Sequence, residues 1–150
     1  MAVVAEVIGI DHVYLTVASV ERSEQFYDRL LKETLGFRKN AFTLGGDGHV
    51  QYYNRFFGIV LRPARTDARV HDRYAPGLHH LCLRVVGADE VDRVARALGL
   101  AGITVTPPRT YEEYAPDYHS TFVDDPDGLR VEITNFRAER KERMERWVAP

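Results

Sequence analysis

The sequence predicts an α+β fold built from two βαβββ modules and closed by a C-terminal helix. Three observations carry that reading. The chain repeats itself without a gap, each copy switches from period-two to helical spacing of its apolar residues, and turn signals separate the strands that follow.

The repeat sets "IDHVYLTVASVERSEQFYDRLL", from Ile10, above "LHHLCLRVVGADEVDRVARALG", from Leu78, so that His12 falls on His80, Leu15 on Leu83, Val17 on Val85 and Leu30 on Leu98. Each copy opens as an alternating strand. Each continues as a helix with apolar positions three or four apart: Phe26, Tyr27, Leu30 and Leu31 in the first, Val91, Val94, Ala95 and Leu98 in the second. Ser19 and Asp89 stand where N-caps belong, and Gly36 and Gly99 or Gly102 where helices stop. In the first copy "FRKNAFTL", the turn "GGDG", "HVQYYNR" and "FFGIVLR" read as three strands. In the second, "ITVTP", "YHSTFVD", the turn "DPDG" and "LRVEITNF" do the same. One domain over residues 1–150 is expected, with modules at 8–63 and 78–136, a Pro- and charge-rich linker at 64–77 and a last helix within 137–150.

Bulk composition excludes several classes of function. Twenty Lys and Arg against twenty-two Asp and Glu give a formal charge of -2, which argues against a nucleic-acid partner. The basic run "RAERKERMERW" is interleaved with glutamates, as on a solvated helix face. The opening "MAVVAEVIGI" reads as neither signal peptide nor membrane span, so no membrane partner is expected. A single cysteine, Cys82, suits a reducing, cytoplasmic setting.

Alternation then sorts side chains by face. In the first strand Val13, Leu15 and Val17 belong against the helix, which leaves Ile10, His12, Tyr14 and Thr16 on the other side. In the second copy Leu81, Leu83 and Val85 face the helix, with His79 at their entrance, while His80, Cys82 and Arg84 face away. Along "LRVEITNF", Glu132 sits mid-strand, where a carboxylate is costly to desolvate unless something neutralises it. Two imidazoles and one carboxylate from three strands make a candidate site for one divalent metal ion, Fe, Mn, Ni, Co or Zn. The bland alternatives are core or surface histidines and a glutamate paired with Arg84 or Arg130.

At these residues the sequence resembles the vicinal oxygen chelate superfamily, which includes glyoxalase I, methylmalonyl-CoA epimerase, fosfomycin and bleomycin resistance proteins, and extradiol dioxygenases. The segments that carry the resemblance are "IDHVYLTV" with "FYDRLL", "GLHHLCLRV" and "FVDDPDGLRVEI". It implies a curved mixed sheet forming a glyoxalase-like cup around a metal, with His12, His80 and Glu132 at the ligand positions, and a homodimer. The chain departs from the family at three points. Ile59 stands where a fourth ligand is often found, Phe122 where extradiol enzymes carry tyrosine, and "DPDGLR" where fosfomycin enzymes carry a different turn.

The remaining candidates are weaker. His119, Tyr118 and Glu113, or its neighbour Glu112, could act as acid or base. Tyr14, Tyr52, Asn54, Arg84, Tyr111, Tyr114 and Phe122 could line the substrate pocket, and an arginine there favours an oxygen-rich or anionic small molecule. The favoured function is a metal-dependent enzyme of the glyoxalase or dioxygenase type acting on vicinal oxygens. The alternative is a metal-free protein that sequesters an aromatic small molecule, as bleomycin resistance proteins do.

Overall fold

A computed structural model describes residues 4–67 and 69–148. Module one runs β1 (His12–Val17), α1 (Val20–Tyr27), a wider π-helical continuation (Asp28–Thr34), β2 (Arg38–Leu44), β3 (Asp47–Tyr53) and β4 (Gly58–Pro63). Module two runs β5 (His80–Val85), α2 (Ala88–Leu100), β6 (Arg109–Thr110), β7 (His119–Asp124) and β8 (Arg130–Asn135), followed by α3 (Ala138–Glu145). The two sheets have the same plan, β1-β4-β3-β2 and β5-β8-β7-β6, and the first and last strands of each module pair in parallel. Each module thus keeps its own four-stranded mixed sheet, with β1 and β5 at the edges.

Local chemistry explains most boundaries. The Ser19 hydroxyl accepts from the Arg22 amide at the start of α1, as an N-cap should. Asp89 does not do the same for α2. Gly87 is the N-cap, and the Glu90 carboxylate reaches back to the Val86 amide at 2.7 Å. Gly45 and Gly46, both at positive φ, turn β2 into β3. The strand expected at "ITVTP" is absent and β6 is only two residues long, because Pro107 and Pro108 supply no amide hydrogens to the ladder. Thr106 still ties to Phe122 through its amide and its hydroxyl.

The helix-facing sides of both sheets enter one core. Leu15, Leu30, Leu31, Ile59 and Leu61 from module one pack in the same cluster as Leu83, Leu98, Val131 and Ile133 from module two. Each fully buried aliphatic contributes about 1.5–3 kcal/mol of transfer free energy. The "DPDG" turn fastens the modules together. The Asp125 carboxylate accepts from the amides of Asp127 and Leu129 within the turn and from the Tyr27 hydroxyl of α1 at 2.8 Å. Asp127 takes the Ala18 amide and the Arg22 guanidinium at the start of α1. The linker crosses this turn, with the His71 amide donating to the Asp127 carbonyl. Gly128, at positive φ, lies so close beneath Val70 that a Cβ would come within 2.9 Å of it.

With the helices between them, the sheets turn their remaining faces outward. On sheet one that face carries His12, Tyr14 and Thr16 of β1 with Gly58 and Val60 of β4. Ile59, aligned by sequence with a ligand position, instead lies fully buried on the helix side. The facing positions, Gly58 and Val60, still offer no side-chain donor.

Tyr52 is a second correction. Placed in the substrate pocket by alternation, it is fully buried on the helix side, where its hydroxyl donates to Asp28 at 2.7 Å. Burial alone would raise the Asp28 carboxyl, but the hydrogen bonds from Lys39 and Tyr52 outweigh it and hold the group below its ordinary range. Burial likewise opposes the Lys39 ammonium, yet Asp28 and Glu24 hold its pKa above the usual lysine value.

Two stability predictions follow from these contacts. Tyr27→Phe should lower unfolding free energy by about 1–3 kcal/mol in urea denaturation, since it strips a partner from a buried carboxylate. Lys39→Met should cost about 1–3 kcal/mol near neutrality. Asp28 is lowered, so its share is full above about pH 4 and lost as pH falls through the lowered value. Lys39 is raised, so its share is full below about pH 10 and lost as pH rises through the raised value. The difference between wild type and variant should therefore plateau at middle pH and shrink at both ends.

Candidate metal centre

Sheet two's outward face is set by register. His80, Cys82 and Arg84 of β5 lie beside Arg130, Glu132 and Thr134 of β8, and then Ser120 and Phe122 of β7. Glu132 is only 3% exposed, and its two oxygens have different partners. Oε1 accepts from the hydroxyls of Tyr118 at 2.6 Å and Ser120 at 2.7 Å. Oε2 lies 3.1 Å from His80 Nε2.

That last distance provides a test of metal fit. Donors about 2.0–2.2 Å from a divalent ion and at right angles to each other stand about 3 Å apart. His80 Nε2 and Glu132 Oε2 therefore fit two adjacent positions on one metal, while Tyr118 and Ser120 fix the carboxylate from behind. His80 is itself oriented, because its Nδ1 lies 2.8 Å from His79 Nδ1. His79 thus differs from its expected place in the helix-side packing. It is exposed, edge-on to Tyr74 and bonded to its neighbour.

His12 stands apart from this pair, on the outward face of sheet one. Its Nδ1 is 2.6 Å from Asp11 Oδ2, and it borders a cleft of about 410 Å³ whose lining includes Asn40, Gln51, Tyr53 and Phe56. Asn54 also lines this cleft, although its side-chain oxygen is engaged by the amides of Phe56 and Phe57. Tyr14 is edge-on to His12 and to His49, a buried histidine stacked on Phe42. Among the described residues, no three His, Cys, Asp or Glu side chains converge within one chain.

The acid–base candidates separate just as sharply. His119 does not point across the site. It lies on the helix side of β7, with Nε2 2.7 Å from Asp92 of α2 and Nδ1 3.1 Å from the Thr110 hydroxyl. Even β-strand alternation places it opposite Ser120 in face, a constraint that excludes it from the Glu132 side. Glu113 is exposed and paired with Arg109 at 3.1 Å, and hydrogen bonding to its own backbone and to Arg109 keeps it ionised below the usual range. Glu112 is exposed in the same turn. Tyr118 is at the site, but burial and its bond to Glu132 raise its pKa, so it remains a neutral donor. Desolvation and the adjacent Glu132 charge push the Cys82 thiol up to about 12, leaving it protonated.

A cluster of aromatic rings flanks Glu132. Tyr111 stacks on Tyr114 and meets Tyr118 and Phe122 edge-on, and Phe122 is the cross-strand neighbour of Glu132. Ser120 was missed by sequence reasoning, though its alternation with Phe122 and its place across from Thr134 would have put it on this face.

Comparison with known proteins agrees with this architecture. Residues 9–133 match the Glyoxalase/Bleomycin resistance protein/Dioxygenase superfamily model, and the chain belongs to that superfamily. No curated protein matches the chain in sequence. Among solved structures, a glyoxylase/bleomycin resistance protein/dioxygenase domain from Frankia sp. EAN1pec superposes with a TM-score of 0.73 at 23% identity, covering 88% of this chain and 100% of that one. Lactoylglutathione lyase from Agrobacterium tumefaciens gives 0.60 at 18% identity, covering 88% and 95%. A glutamate-to-glutamine mutant of the fosfomycin resistance protein FosX from Listeria monocytogenes, complexed with Mn(II) and 1S,2S-dihydroxypropylphosphonic acid, gives 0.65 at 14% identity, covering 91% and 98%.

If Tyr118 positions a ligating carboxylate, Tyr118→Phe should weaken Mn(II) binding on the order of 10-fold to 100-fold by calorimetry. Tyr111→Phe, which leaves the bonds to Glu132 intact, should not change it.

Proposed function

We propose that this protein is a divalent-metal-dependent enzyme acting on a small molecule with two neighbouring oxygens. The observation that carries the reading is the His80–Glu132 pair, 3.1 Å apart, with the carboxylate buried and held by two hydroxyls. His80, Glu132 and His12 would hold the ion. When bound, a divalent cation supplies Lewis-acid stabilisation of negative charge on substrate oxygens.

The chain's own groups have separable tasks. Tyr118 and Ser120 hold and orient the Glu132 carboxylate, and His79 fixes which His80 nitrogen faces inward. Tyr111, Tyr114 and Phe122 form a wall that would accept an apolar or planar substrate body.

The third ligand comes from a second copy of the chain in this reading. His12 and His80 occupy edge strands of two outward faces that share a core behind them, so neither can reach the other within one chain. A homodimer that sets sheet one of one copy against sheet two of the other completes two equivalent sites. The known relatives support the chemical class. The Mn(II) complex of the Listeria monocytogenes protein has this fold, as does the lactoylglutathione lyase.

The aromatic wall also favours a second reading, metal-free sequestration of an aromatic compound. His80→Ala separates the two. Unchanged affinity for a bound aromatic compound supports sequestration, and loss of metal and turnover supports the enzyme.

Elemental analysis of protein purified without chelator should find about one divalent ion per chain, and His80→Ala and His12→Ala should each abolish it while His79→Ala retains most of it. Absence of metal, with no binding on addition of Mn(II), Fe(II), Ni(II), Co(II) or Zn(II), would end the metal reading. Co-expressed His12→Ala and Glu132→Ala chains should regain one intact site per mixed dimer although neither binds metal alone. Failure to complement would exclude the shared site.

A further inference from the structure

The C-terminal helix raises a question that the metal centre does not answer. None of the α3 residues is buried, so packing does not explain the helix. It is tethered instead by polar and cation–π contacts. The Ala138 amide donates to Asp117, the Arg137 guanidinium lies 4.8 Å from the Tyr118 ring centre, and Lys141 lies over Phe136. Arg84, on the His80 face of β5, stacks on the same Phe136 at 4.0 Å from its ring centre.

The result is a crowd of guanidinium groups beside the site. Among the described residues, Arg84, Arg137 and Arg140 have no carboxylate partner within ion-pair distance, whereas Arg146 on the same helix pairs with Glu142 at 2.7 Å. Desolvation and the charges of Arg143, Arg84 and Arg137 lower the Arg140 pKa, opposed by Glu139. The spacing of Arg137, Arg140 and Lys141 places them on one face of the helix. Guanidinium groups gathered without a carboxylate partner, two of them on aromatic rings, repel one another at a cost in free energy. An anion would relieve that cost.

We infer that Arg84, Arg137 and Arg140 form an anion subsite that takes a phosphate, phosphonate or carboxylate group of the substrate, next to the Glu132 end of the metal centre. The inference deepens the metal-enzyme reading and rests on it for the word substrate, but the anion site itself does not need the metal. Arg137 links the two, because it lies on the ring whose hydroxyl holds Glu132. The substrate is then a small oxyanion-bearing molecule with neighbouring oxygens at the other end. Neutral diols and catechols would bind more weakly.

Calorimetric titration of the full-length protein tests this with two probes, inorganic phosphate and glycerol 3-phosphate, at low ionic strength. Metal-free wild type should bind phosphate, and Arg84→Gln with Arg137→Gln should weaken it by about tenfold or more while Mn(II) affinity and melting temperature hold. Glycerol 3-phosphate should bind the Mn(II)-loaded wild type more tightly than phosphate does, and should show the same loss in the double variant. Arg146→Gln serves as the charge control. Phosphate affinity within about twofold of wild type in the double variant, or an equal loss in Arg146→Gln, would overturn the subsite. Intact phosphate binding in a protein that takes up no metal would leave the subsite standing and remove the metal reading.

Discussion

The two aspartates of the "DPDG" turn determine how the rest of this molecule is arranged. Asp125 is a buried carboxyl whose oxygens accept from two turn amides and from Tyr27, and burial raises its pKa against the pull of those donors. Asp127 holds the first turn of α1 through Ala18 and Arg22. A carboxylate placed at a helix N-terminus also meets the positive end of its dipole. Through these contacts module two is fastened to the helix of module one, and the apolar sides of both sheets are committed to a single core. Neither module could turn its polar face inward without breaking buried hydrogen bonds and exposing the core.

That commitment sets the geography of the site. The faces bearing His12 and the His80–Glu132 pair are left outward, on sheets whose first strands are unpaired along one edge. Outward polar faces next to open strand edges are liabilities in a lone chain unless something covers them. In the proposed dimer, the same geometry that keeps His12 from the His80–Glu132 pair within one chain would present two complementary half-sites to a neighbour.

Much of this was legible in the sequence because it obeys period. The repeat register located both modules, alternation put His80 and Glu132 on one face, and Ser19 and Gly36 marked the ends of a helical stretch. The misses share a physical origin. Tyr52 was placed in the pocket by loosely counted alternation, Ile59 at a ligand position by resemblance and His119 at the site by proximity in the chain, yet each falls on the helix side, where burial or hydrogen bonding claims it. Alternation counted strictly from β3, β4 and β7 would have excluded all three. The separation of His12 from its expected partners was not legible in this way, because it depends on how two modules pack, and that is settled by contacts between turns and helices far apart in sequence. The arginine cluster escaped for a similar reason. Its members come from β5 and from a helix outside the repeat, and only the fold brings them to one edge.

The support around Glu132 also bears on when the site is made. A buried carboxylate without partners would burden the folded chain by several kcal/mol. Here Tyr118 and Ser120 satisfy one oxygen and His80 stands by the other, so the desolvation cost is met by the protein itself before any cation arrives. Small metallo-domains that lack such support fold only with their ion, and their metal affinity is folding free energy. In this chain the core of Leu30, Leu31, Leu98, Ile59 and Ile133 lies on the far side of the sheets from Glu132 and owes nothing to the ligand face. Folding therefore does not wait on a ligand, and the His80–Glu132 pair is preorganised on a finished scaffold. In the proposed metal enzyme, binding energy at the completed site would then be free to act on assembly, since an ion that needs donors from two chains would favour the state in which the two faces meet.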